Sequence, residues 1–191
     1  MPKIVDHDVR REELLEPCLE LFSMQGFHSI SMRKIANRLN VTTGTLYHYF
    51  DGKQAIFEQT IERIVRMDAQ EAITAVPTEA PWATKILHLA QFLRSREQRL
   101  VQIINITLDY KRHEREASQS LIDRVLSVYR DTISQQLGVV DEVQLDALFS
   151  LLIGQVIYRE LNPSARPIEE QLIALLRFGG EVSASLASHK G

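Results

Sequence analysis

The stretch from Ser31 to Phe50 reads SMRKIANRLNVTTGTLYHYF. It concentrates side chains suited to gripping a nucleic acid. Ser31 can cap a short helix whose inward face is Ile35, Ala36 and Leu39. Asn40 and Val41 form a turn, and Thr42 or Thr43 caps a second helix running to Phe50. Two short helices around a three- or four-residue turn make the helix-turn-helix layout, in which the second helix enters the major groove by its N-terminal end. That end is Thr42-Thr43-Gly44-Thr45. Its hydroxyls are small donors, and Gly44 removes a side chain where backbone and duplex must approach closely. Leu46 and Phe50 are an i, i+4 pair and mark the buried face. Tyr47, His48 and Tyr49 are consecutive and point about 100° apart. Tyr49 is expected to be partly buried against the N-terminal helix that carries Cys18, leaving Tyr47 and His48 to meet phosphates or base edges. Lys53 opens the next helix and suits a phosphate contact. Arg33, Lys34 and Arg38 lie on the bracing helix. Lys34 and Arg38 fit a solvated face as well as a DNA contact.

The elements that position this segment read as helices throughout. Leu14, Leu15, Cys18, Leu19, Leu21 and Phe22 form an apolar stripe stopped by Gly26, with a kink or late start expected at Pro17. Asn40 is expected in the left-handed region. A long helix is predicted over 53–75, ended by Pro77 and Pro81. The next carries Ile86, Leu89, Ala90 and Leu93, and Arg94–Gln98 reads as a polar turn. Helices over 100–108 and 118–137 are separated by the charged run 111–116. Gly138 stops the latter, Asp141 caps a helix to Leu161, and Pro167 opens a last one reaching about Ala187. The prediction is an all-α chain of roughly nine helices, with no strand of convincing alternation.

Composition sets limits on function. The chain has 191 residues, 45% hydrophobic and 25% charged, with a net charge of −3 and one cysteine. These are ordinary globular values. Cys18 alone permits neither an internal disulfide nor a thiolate cluster, and a reducing compartment, the cytoplasm, is expected. The N-terminal run has no apolar core of a leader, and no segment approaches the ~20 apolar residues of a membrane span. A charge of −3 argues against a general polyanion binder, but its distribution is uneven. Residues 28–53 hold Arg33, Lys34, Arg38 and Lys53 against Asp51 alone. Residues 1–27 hold six acids against three bases. The basic segment coincides with the helix-turn-helix.

The segment from Gly26-Phe27 to Phe57 resembles the TetR family of bacterial transcriptional regulators. The resemblance is carried by Ile35-Ala36, Val41, the run TTGTLYHYF and Lys53 followed by Phe57. It implies an N-terminal three-helix DNA-binding domain, placed here at 1–52. It also implies an effector-binding and dimerisation domain at 53–191. The set implied to face DNA is Ser31, Arg33, Thr42, Thr43, Gly44, Thr45, Tyr47, His48, Tyr49 and Lys53. The partners implied are a palindromic double-stranded operator, bound by a homodimer, and an unknown small-molecule effector that shifts the spacing of the two recognition helices. A repressor is the expected role. Pro17 stands where the family has a small residue, and Asn40 where it has glycine.

Beyond residue 60 no motif guides the reading. Trp82, Phe92, Tyr110, Tyr129, Gln155 and Tyr158 are candidate lining for a ligand pocket, although aromatics at helical spacing are more often core. Helices 141–161 and 167–187 are apolar and carry Gly154, Gly179, Gly180, Ser183 and Ala184. Their small residues suit a two-fold four-helix interface, or simply closure of the monomer core. No nucleophile motif, phosphate loop or metal spacing is present. His88 and His113 are isolated, and residues 113–117 fail the zinc-helix pattern. Neither an enzyme, a metal nor a cofactor is expected. The alternative is a TetR-like protein-interaction module with a vestigial DNA head.

Overall fold

A computed structural model describes residues 7–175 and 177. The outer part of the last predicted helix, with Gly179, Gly180, Ser183 and Ala184, lies outside the described residues. The elements are α1 (His7–Leu15), α2 (Cys18–Gln25), α3 (Met32–Arg38), α4 (Thr43–Tyr49), α5 (Lys53–Ala75), α6 (Trp82–His113), α7 (Arg115–Leu137) and α8 (Glu142–Leu161). Helix resumes over 168–175, after Pro167. No strand occurs among the described residues.

The helix ends follow local chemistry. Pro17 cannot donate to the preceding turn, so the first predicted helix divides into α1 and α2 around it. Ser31, Thr42 and Asp141 cap α3, α4 and α8, each side chain accepting from the backbone N–H three residues on. Asn40 takes the left-handed conformation at φ 53°. That closes α3 one turn before Thr42, fixing the angle between the two helices.

Two expectations fail. Arg94–Gln98 is not a turn, because α6 runs unbroken from Trp82 to His113. The stretch contains no glycine or proline to stop a helix, and its charges have partners on other helices. Arg94 pairs with Glu169, Arg96 with Glu71, and Arg159 with Glu97 at 2.5 Å. The charged run 111–116 is likewise helical on both sides, and the chain leaves the helix only at Glu114.

The described chain packs as two compact units. One comprises the residues up to Ala69 with Gln102–Tyr129, and the other Gln70–Val101 with the residues from Arg130 onward. The core of the first unit joins Phe22, Ile35, Leu46, Phe50 and Phe57 to Ile103, Ile106, Tyr110, Leu121 and Val125. The helix-turn-helix thus shares its core with parts of α6 and α7. The second unit is built on Val76, Ile86, Leu89, Ile133, Leu145, Leu152 and Ile168.

Cys18 is fully buried, and burial pushes its thiol up to about 12. The thiolate needed for alkylation is therefore scarce at pH 8. Labelling by a thiol reagent is expected to follow unfolding of the first unit, with fast labelling of the folded chain as the contrary result.

Gly26 closes α2 at φ 73°, ψ 157°, a region almost confined to glycine. A Cβ there would stand 3.0 Å from Asp109 Oδ2, the atom that accepts the Phe27 N–H at 3.2 Å. Gly26→Ala is expected to cost about 2–3 kcal/mol in denaturant unfolding, a large part of a typical stability of about 5–15 kcal/mol.

Candidate nucleic-acid interface

The interface begins with how α4 is held. Leu46 is fully buried and Phe50 nearly so, which turns the opposite side of this two-turn helix outward. Thr43, Gly44 and His48 are exposed, and Tyr47 is 60% exposed. Tyr49 is half-buried and rests against His7 of α1, with ring centroids 4.6 Å apart. Thr42 Oγ1 accepts the Thr45 N–H at 3.0 Å and lies 2.9 Å from the Thr45 hydroxyl. That pair is spent on fixing the first turn of α4, while Thr43 and Tyr47 are presented outward. A Cβ at Gly44 would meet only Thr42 Oγ1, at 3.6 Å, so the fold itself does not require glycine there.

The bases of the segment separate into two groups. Lys34 donates to Gln25 Oε1 at 3.1 Å and to the Ser29 carbonyl at 3.0 Å. Arg38 pairs with Glu20 at 2.6 Å. Lys53 donates to the Phe27 carbonyl at 2.9 Å, with its ammonium 4.2 Å from the Phe27 ring centroid. Burial lowers the pKa of this ammonium below the usual lysine value, and Glu114 acts in the opposite sense. Lys53 is therefore a strut. With Asp109 it satisfies both polar groups of the Phe27 peptide and locks the α2–α3 loop to α5 and α6. Arg33 is exposed and has no such tie among the described residues. The Ser31 hydroxyl is occupied as the cap of α3.

The candidate pocket residues divide between the two units. In the first, Tyr110 is fully buried against Phe27 and Phe57, and its hydroxyl donates to Glu58 at 2.9 Å. Burial, then the Glu58 hydrogen bond and charge, raises its pKa well above the usual tyrosine value. It acts as a core anchor. Tyr129 donates to the buried Asp68 at 3.3 Å. In the second unit Trp82 is 45% exposed, Phe92 is half-buried, and Tyr158 is 50% exposed, its hydroxyl accepting from Asn162. Gln155 Oε1 is buried without a hydrogen-bond partner.

One polar residue of the second unit is not marked by any sequence motif. Gln136 is 3% exposed, and neither atom of its amide has a partner. Its one signal is its position, three residues after Ile133 on the apolar stripe of α7. Among the described residues no group of three or more His, Cys, Asp or Glu could hold a metal, and no helix is long and apolar enough to cross a membrane.

Residues 14–60, from the end of α1 into α5, match the family described as bacterial regulatory proteins, tetR family. This head is a TetR-family domain. The regulator is similar along most of its length to the HTH-type transcriptional regulator BetI of Vibrio atlanticus (strain LGP32). The two are 27% identical over 177 residues, covering 91% of this chain and 77% of that protein. Its fold matches that of E. coli NemR in its reduced form, with a TM-score of 0.71 and 20% identity over 86% of this chain and 93% of that one. It also matches FadR from Bacillus subtilis in complex with stearoyl-CoA, with a TM-score of 0.65 and 17% identity over 87% and 95% of the two chains.

Proposed function

We propose that the regulator is a cytoplasmic repressor that binds a palindromic operator as a homodimer and releases it when a small molecule occupies the second unit. The observation that carries this reading is the outward face of α4. Thr43, Gly44 and Tyr47 stand free on a helix whose other side is anchored in the core. Base edges would be read there by hydroxyls and backbone, with Arg33 on the neighbouring helix reaching phosphate. Lys53 supports the interface from within.

The second copy would cover α8. Its core face is Leu145, Leu152 and Val156. A separate stripe of Val143, Ala147, Ser150, Gly154, Tyr158 and Leu161 is exposed. Their spacing of three and four keeps them on one side of the helix. Val143 is 77% and Leu161 78% exposed, more apolar surface than a lone helix leaves in water without a partner. Ile173 and Leu175 of the following helix are also exposed. The unpartnered amide of Gln136, in the apolar core of the second unit, suits an effector with a polar group to share. FadR, solved with stearoyl-CoA, is a structural neighbour with such a ligand.

Hydroxyl-radical footprinting on DNA from upstream of the regulator's own gene tests the arrangement. Two protected patches about one helical turn apart, or a multiple of it, are expected. A single unpaired patch contradicts the dimer.

A further inference from the structure

We propose that His7 belongs to the DNA-contacting surface with His48, and that this imidazole pair makes operator binding proton-linked. The proposal rests on the DNA-binding reading above. The first residue of α1 lies against the recognition helix. The His7 ring is 4.6 Å from Tyr49 and 5.5 Å from His48, and His48 meets Tyr49 edge-on at 5.0 Å. Both imidazoles are exposed, the His7 side chain by 54%. Tyr49, half-buried between them, ties one to the other.

Among the described residues the charges around the pair are few. On α1, Asp8 lies 4.0 Å from His7 Nδ1, Arg10 is paired with Glu13, and the Arg11 guanidinium stands 5.7 Å from the Phe50 ring centroid. On α4 the titratable neighbours are Tyr47 and Tyr49, and Asp51 follows the helix. Thr43–Tyr49 contains no lysine or arginine. The charge that this helix offers a phosphate is therefore set by imidazole, the side chain that changes charge between about pH 5 and 8. A polyanion placed against the pair favours the charged rings, so DNA binding takes up protons. The sign follows from linkage. The added affinity is present at low pH and is lost as pH rises and imidazole gives up its charge. One pKa unit of coupling is a tenfold change in affinity, so the pair supplies up to about tenfold for each ring.

The test uses the full chain and a duplex from upstream of its own gene, titrated from about pH 6 to 8 at constant ionic strength. His7→Asn, His48→Asn and the double variant are compared with His88→Asn, on α6 in the second unit. Affinity of the natural chain and of His88→Asn is expected to rise about tenfold or more toward pH 6. Each single variant should lose part of that rise and the double variant nearly all of it, with unchanged thermal unfolding. Calorimetry in buffers of different ionisation heat should show proton uptake by the natural chain and none by the double variant. A double variant that keeps the natural slope and uptake overturns the proposal. So does a slope that His48→Asn abolishes and His7→Asn leaves whole. A natural chain that binds the duplex at no pH overturns the DNA-binding reading itself, and that outcome is distinct because no complex then exists to titrate.

Discussion

Gly44→Glu is expected to abolish operator binding in a protein at least as stable as the natural one. Gly44 lies in the first turn of α4, directly after Thr43. Its nearest non-local atom to a built Cβ is Thr42 Oγ1, at an ordinary contact distance of 3.6 Å. The side chain therefore enters solvent. In a helix, replacing glycine by an ordinary residue gains about 0.5–1 kcal/mol, and a carboxylate in the first turn adds a few tenths more from the helix dipole. Folding should thus be neutral to slightly favoured. The same carboxylate stands where phosphate and base edges must come closest. Repulsion and lost approach together are expected to weaken binding by at least ~100-fold, or about 2.7 kcal/mol. Fluorescence anisotropy with labelled duplex measures the loss, and a circular-dichroism melt measures the fold. Natural affinity in Gly44→Glu would remove α4 from the interface. Gly44→Ala, adding one methyl, should fall between.

Gly154→Glu is expected to convert the proposed dimer to monomer. A Cβ at Gly154 meets nothing within 4 Å in the single chain, so glutamate is harmless to the protomer. On the exposed stripe of α8 it would face a second copy. Burying an unpaired carboxylate there costs several kcal/mol per protomer, enough to dissociate a dimer at micromolar concentration. Light scattering should give one chain's mass, 21.9 kDa, where the natural protein gives twice that. Operator affinity should fall by about 100-fold or more, because each head must then bind a half-site alone. A dimer of Gly154→Glu with natural affinity would place the interface elsewhere.

Local chemistry makes much of this fold legible in the amino-acid sequence. The caps Ser31, Thr42 and Asp141, the left-handed Asn40 and the bounds of α5 each follow from a few neighbouring residues. The features that are not legible there depend on partners far along the chain. Arg94–Gln98 interrupts an apolar pattern and mimics a turn, yet Glu71, Arg159 and Glu169 hold it in a helix. Tyr110 carries the signature of a pocket aromatic, and only its contacts with Phe27, Phe57 and Glu58 show it to be core. The segment's positive charge is mostly spent inside the fold, which the sequence does not show. Lys34, Arg38 and Lys53 are engaged within the head, leaving Arg33 and a hydroxyl-rich helix face that carries no lysine or arginine.

That distribution decides which variants can test the function. Lys53→Ala would release the Phe27 carbonyl and disturb the α2–α3 loop, so lost DNA binding there would not separate contact from scaffold. Tyr47→Ala and Gly44→Glu change only the outward face. They also distinguish a regulator from a protein-interaction module, which would retain its partner in both.

The most direct measurement is the affinity of the purified natural protein for DNA from upstream of its own gene, against a mixed-sequence duplex, across a series of salt concentrations. A specific complex at least ~1,000-fold tighter than the mixed-sequence one is expected. It should weaken steeply with salt as phosphate contacts release counterions, and Gly44→Glu should lack it. Equal affinity for both duplexes, or a complex that Gly44→Glu retains, would contradict the account.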